Sequence, residues 1–310
     1  MDFKDLPQFR PVEIKTYHSN TYDRISPSTT KFDAKGKTVL ITAGATGIGY
    51  SISESFAKAG VARIIILQRR ESVLATAKEA LEKAYPNTKV ETYSASQSDF
   101  QRMTEIIQSV GEIDVLIPCA TYAGDMKPPT KDKNTEQLAE VYLVNVVGLF
   151  HMVREFLALP ATASGGPKSV IHISSNASQM YFPGGSGYCS SKAAANQIIT
   201  HFGYDDPNGN VKFYSLHPGA VWTALAEENV PQDAVVWEDS KFGLLRSMIM
   251  LLTTGIIVKL PGDFAVWLAG PEATFLNGRF VWAAWDVDEL IAMTEKVASD
   301  PNLLTITLAK

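Results

Sequence analysis

The chain has 310 residues, 45% apolar and 20% charged, with a formal net charge of −5. That suits one large α/β domain, and the acidic balance excludes broad nucleic-acid or anionic-membrane binding, which needs a positive field. Two cysteines, Cys119 and Cys189, exclude a disulfide framework, and no stretch reads as the roughly 20 apolar residues of a membrane span, so a cytoplasmic setting is expected.

Residues 1–36 read as an irregular leader, interrupted by Pro7, Pro11 and Pro27. From Lys37 onward, short β-branched runs alternate with longer amphipathic stretches. Residues 38–42 read as a strand and 48–58 as the following helix; 63–67 and 73–83 repeat the unit. Further strands are expected at 90–93, 113–117, 169–173, 211–216 and 278–282. Runs apolar on both faces imply parallel strands covered by helices on both sides. The expected architecture is an open, doubly wound α/β sheet in one domain, 37–310, with ligands at the carboxyl ends of its strands.

The segment Thr42-Ala-Gly-Ala-Thr-Gly-Ile-Gly49 joins the first strand to the first helix. Gly44, Gly47 and Gly49 let the backbone turn sharply and approach a pyrophosphate. Thr46 and Ile48 lie where the helix offers free N–H donors and its positive dipole end. The second strand runs out into Gln68, Arg69 and Arg70. An acid there would bind a ribose 2′-hydroxyl, whereas arginine pairs with a 2′-phosphate, so NADP(H) is the expected cofactor. A solvated basic loop is the bland alternative.

Tyr188-Cys-Ser-Ser-Lys192 opens a later helix, and the four-residue spacing puts Tyr188 and Lys192 on one face. A neighbouring ammonium is expected to lower the phenol's pKa and fit it for proton exchange with a substrate oxygen. Ser174 and Ser175 follow the fifth strand, at the end of the sheet where such folds place their chemistry. Asn145 is a lone amide in an apolar helical stretch, either functional or a satisfied core group. Pro218 to Thr223 follows the sixth strand and reaches over the same crevice. His151, His172, His201 and His217 lack metal-ligand spacing, and no metal is expected.

In the order and spacing of these motifs, from Lys37 to about Trp282, the chain resembles the short-chain dehydrogenase/reductase family. The resemblance implies a Rossmann-type sheet, a catalytic tetrad of Asn145, Ser175, Tyr188 and Lys192, and a loop of Pro218, Gly219, Val221 and Thr223 around the nicotinamide. The family's serine lies thirteen residues before its tyrosine, which selects Ser175 over Ser174. Tyr188 would be the general acid or base, and Lys192 would also hold the nicotinamide ribose. Ser175 would orient the substrate oxygen, and Asn145 would hold a water in the relay to Lys192. Pairing through the helices of Asn145 and Tyr188, as homodimer or homotetramer, follows from the same resemblance, with the leader as a candidate cover for that surface.

Three departures fall in the cofactor half: Ala43 stands where the family has glycine, Pro118-Cys-Ala-Thr121 where it has Asn-Asn-Ala-Gly, and Ser94 where an adenine-contacting aspartate is common. They keep open a non-redox enzyme of the same fold (dehydratase, isomerase or cyclase) using Tyr188 and Lys192, and more remotely a dinucleotide sensor or scaffold. Residues 224–260 leave the strand–helix rhythm and are expected to form a helical substrate lid. Trp222, Trp237, Phe242, Met248 and Met250 suggest a bulky apolar substrate. The closing stretch, 273–282, is similar to reductases of filamentous fungi, many of them tailoring secondary metabolites.

Overall fold

The computed structural model describes residues 14–124, 134–180, 184–206, 209–219 and 259–306. Seven strands form one sheet: β1 Thr38–Thr42, β2 Arg63–Gln68, β3 Lys89–Ser94, β4 Val115–Ile117, β5 Lys168–Ile173, β6 Val211–His217 and β7 Arg279–Trp282. All neighbours run parallel, in the order β3-β2-β1-β4-β5-β6-β7. The order reverses between β1 and β4, and this switch point opens the crevice at the strands' carboxyl ends.

Successive residues of each strand serve opposite cores. Val39, Ile41, Ile64 and Ile66 pack with α1 (Gly47–Ala59), α2 (Glu71–Ala84) and α7 (Lys259–Leu268) on one face. Leu40, Ile65, Leu67, Val170 and Phe213 pack with α3 (Phe100–Val110), α5 (Gly148–Ala158) and α6 (Ser186–Asp205) on the other. Both faces are therefore apolar, which is why the strand sequences show no alternation.

The fourth strand begins two residues later than its sequence suggests. Buried Asp114 spends its carboxylate on the Thr38 N–H (2.8 Å), the Thr162 hydroxyl (2.8 Å) and the Lys37 ammonium (3.3 Å), pinning the amino ends of β1 and β4. Pro118, which has no N–H, closes the strand three residues on.

The described part of the leader, 14–36, does not lie on the helices of Asn145 and Tyr188, contrary to the expectation of a cover there. It lies against α1, α7 and the segment after β7, where acidic partners await its polar side chains. Tyr17 bridges Trp285, the Lys15 N–H and Thr16 hydroxyl bind Glu289, and Arg24 forms ion pairs with Glu272 and Asp288.

Helix α4 (Thr135–Tyr142), a π-helical turn (Leu143–Val147) and α5 run on as one 24-residue helix, Thr135–Ala158, long and apolar enough to cross a membrane by length and composition. This revises the expectation that no stretch qualifies. One face packs on the sheet, and its length is apolar because the other face also carries exposed Leu138, Leu143, Val147, Phe150 and Leu157. The expected lid, 224–260, lies outside the described residues up to 258; Lys259 and Leu260 begin α7.

Candidate active site

The loop after β1 closes by the Ala43 N–H donating to the Leu67 carbonyl (2.7 Å). Ala43 sits at φ 55 and Gly47 at φ 55, so the turn needs the left-handed region twice and the sequence offers glycine once. Gly49 is required for closeness: a Cβ there would stand 2.2 Å from the Ala43 carbonyl oxygen. Thr46, at the N-cap position of α1, makes no side-chain hydrogen bond to the helix, which leaves the first-turn donors to a ligand. Ile48 is partly buried against the core beneath.

Thr42 faces inward. Its hydroxyl oxygen accepts from the Cys119 and Ala120 N–H groups (2.9 Å each) and donates to the Gln97 side chain (3.2 Å). Thr42 thus holds the exit of β4, and the Pro118 segment keeps this bond without either asparagine. Gln68 accepts from the Ala45 N–H (3.3 Å) and donates to the Thr46 hydroxyl (3.4 Å), tying the end of β2 to the loop. Arg69 and Arg70 are exposed just beyond, with no acidic partner among the described residues. Ser94 donates to the Arg69 carbonyl (3.0 Å) and so holds that corner.

At the other side of the crevice, α6 carries Tyr188 and Lys192 against the end of β5. Burial pushes the Tyr188 phenol up to about 12, outweighing the lowering effect of the neighbouring Ser175 side chain. Lys192 is 2% exposed; its Nζ donates to the Ile173 carbonyl (2.9 Å) and lies 5.8 Å from the Tyr188 ring centroid. Burial lowers it to about 8. The expected lowering of the phenol by Lys192 is not found: desolvation dominates, because the ammonium is turned to the strand carbonyl.

Asn145 is buried in the π-helical turn. Its Nδ2 donates to the Tyr122 carbonyl (2.9 Å) and the Ser191 hydroxyl (3.0 Å), and its Oδ1 accepts from the Tyr122 N–H (2.8 Å) and the Thr121 hydroxyl (3.2 Å). The amide side chain is a satisfied clamp between the β4 exit and α6. Pro218 and Gly219 follow β6, with Gly219 at φ 90; Val221 and Thr223 lie outside the described residues, as do Trp222, Trp237, Phe242, Met248 and Met250. No group of three His, Cys, Asp or Glu among the described residues could hold a metal.

Sequence reasoning missed Gln97, Ser178, Ser191 and Asn196. Gln97 is buried and donates to the Val144 carbonyl (2.8 Å), linking the β1 loop to the turn of Asn145. It sits in a loop with no periodic signal. Ser191 and Asn196 share α6 with Tyr188, so the helical spacing could have found them.

Comparison with known proteins bears on the family and the fold. The family profile described as short chain dehydrogenase matches residues 37–234. The chain is similar to the short chain dehydrogenase/reductase AacuD of Aspergillus aculeatus, 44% identical over 96% of both chains. Its fold is similar to an NAD+-bound xylitol dehydrogenase (TM-score 0.72, 20% identity, 82% of this chain and 100% of that one). It is also similar to an actinorhodin polyketide ketoreductase with NADPH (TM-score 0.69, 19% identity, 80% of this chain and 95% of that one).

Proposed function

The chain belongs to the short-chain dehydrogenase/reductase family, and on that premise we propose that it is an NADPH-dependent reductase interconverting a bulky apolar ketone and its secondary alcohol. The observation that carries the reading is the gathering of Ser175, Tyr188 and Lys192 at the carboxyl end of β5, with Lys192 one helical turn beyond the tyrosine and its Nζ donating to the Ile173 carbonyl.

The donor set fits a dinucleotide. The start of α1 would hold the pyrophosphate, Arg69 and Arg70 would pair with a 2′-phosphate, and Pro218 with Gly219 would border the nicotinamide side. When bound, the reduced nicotinamide supplies a hydride to the carbonyl carbon. Tyr188 donates its phenolic proton to the carbonyl oxygen as that oxygen becomes an alkoxide. A phenol held near 12 is protonated at neutral pH and is therefore poised as the acid. Ser175 directs a hydrogen bond at the same oxygen. Lys192 places a positive charge beside the phenol as it gives up its proton, and Asn145 keeps the β4 exit and α6 in register.

The departures that suggested non-redox chemistry leave the loop closed: Ala43 makes its bond to Leu67, and Thr42 holds the Pro118 segment. The exposed apolar face of Thr135–Ala158 supports a homodimer or homotetramer. Cys119 and Cys189, not joined in a disulfide, suit a reducing, cytoplasmic setting, and a fungal relative suits a role in secondary metabolism.

Tyr188→Phe tests the acid. It should abolish reduction of a ketone such as 2-acetonaphthone, by at least about 100-fold, with NADPH affinity within about twofold of wild type. Retained turnover would remove Tyr188 from the mechanism.

A further inference from the structure

Along α6, Tyr188, Lys192 and Asn196 recur every four residues, so one stripe of the helix faces the end of β5. The first two belong to the reading above. Asn196 is 2% exposed, and its Nδ2 donates to the Ser178 hydroxyl oxygen (3.0 Å). That hydroxyl in turn donates to the Ser175 carbonyl (2.7 Å). Ser175 opens a short 3-10 turn, Asn176–Ser178, and its own Oγ accepts from the Ala177 N–H (3.1 Å).

The turn is held from a second side. The Asn176 N–H donates to Nδ1 of His217 (3.2 Å), at the end of β6, and the His217 ring lies edge-on to Trp282 (4.7 Å). Burial lowers His217 to about 3, so it remains a neutral acceptor throughout the working range.

Asn196 is also an expensive choice at its position. Among the described residues its buried Oδ1 has no hydrogen-bond partner, a desolvation penalty that an apolar residue of similar size would avoid. A side chain kept at such a cost for one bond points to the group that bond fixes, here the backbone of Ser175.

We propose that Asn196 is a positioning residue that, through Ser178, sets Ser175 in its place beside Tyr188. The serine's place is thereby measured from the same helix that carries the tyrosine and lysine, rather than from β5 alone. Movement of α6 carries all three groups together. This inference rests on the reductase reading, because it assigns Asn196 its task through a serine that touches the substrate oxygen.

The test is a double-mutant cycle on the full-length protein, with 2-acetonaphthone and NADPH. Asn196→Leu removes the strut at nearly constant volume, and Ser178→Ala removes it from the other end should the first variant fold poorly. Each should lower kcat/KM by roughly ten- to hundredfold through misplacement of the serine, while NADPH affinity stays within about twofold. In a Ser175→Ala background the same substitutions should have almost no further effect, a coupling that general loss of stability would not produce. Full activity in both single variants, or an equal loss with and without Ser175, overturns the inference and leaves the reductase reading intact. A folded wild type that binds neither nucleotide and reduces no ketone overturns the reading, and the inference with it.

Discussion

Arg69 and Arg70 stand exposed past the end of β2 without an acidic partner among the described residues, and the cofactor preference turns on them. Gln68 is occupied with the β1 loop and offers no acid to a ribose hydroxyl. Arg69→Ala should therefore weaken NADPH by at least about tenfold, the value of one charge-assisted contact, and leave NADH nearly unchanged in a fluorescence titration. Equal effects on both nucleotides would remove the argument for the phosphorylated one. Lys192 gives a pH dependence. Burial lowers it to about 8, so the ammonium is present below that pH and lost above it. Reduction at saturating NADPH should hold steady below pH 8 and fall as pH rises through it; a rate still flat above pH 9 would exclude a role for the charge. At this scale the sequence was legible for residues whose spacing encodes their face, such as Tyr188 and Lys192. It was not legible for Ala43. Only the backbone reveals that it sits at φ 55, where glycine would be at ease.

Among the elements, the strands follow from β-branched runs, and most differ from expectation only at their ends. β4 departs furthest, starting two residues late because Asp114 is drawn into bonds at the foot of the sheet. Those partners are distant in sequence, so no local pattern announces them. The leader is the clearer case: irregular by pattern, its described part is held by ion pairs and hydrogen bonds to residues about 250 positions away. Glu272 is the centre of that clasp, paired with Arg24 (2.8 Å) and Lys31 (3.0 Å), which hold its carboxyl down to about 2. Because the folded pKa lies below the unfolded one, this stabilisation is complete above about pH 4.5 and drains away as pH falls toward 2. Glu272→Gln should lower stability by about 1.5–3 kcal/mol at pH 7 in urea unfolding, with the difference shrinking by pH 3. A difference that does not change with pH would show that packing, not charge, holds the leader.

For the molecule as a whole, the doubly wound sheet could be read from the alternation of runs, and the place of the chemistry from the rule that ligands gather at the switch point. Ser175, Tyr188 and Lys192 do meet there, and Asn145 braces them from the facing helix. What the pattern concealed is the internal bracing: Thr42 to Gln97 to Val144 on one side, Asn196 to Ser178 to Ser175 on the other. These are single polar residues whose partners come together only in the folded sheet. The central claim is that these groups serve hydride transfer to a carbonyl. It is tested most directly by following label from NADPH deuterated at C4, prepared separately on each face, into the product of a bulky ketone. The account predicts deuterium at the carbinol carbon from one face only, and no labelled alcohol from Tyr188→Phe. Conversion of the compound with no deuterium from either face would contradict it, and Tyr188 and Lys192 would then be an acid and base working without hydride.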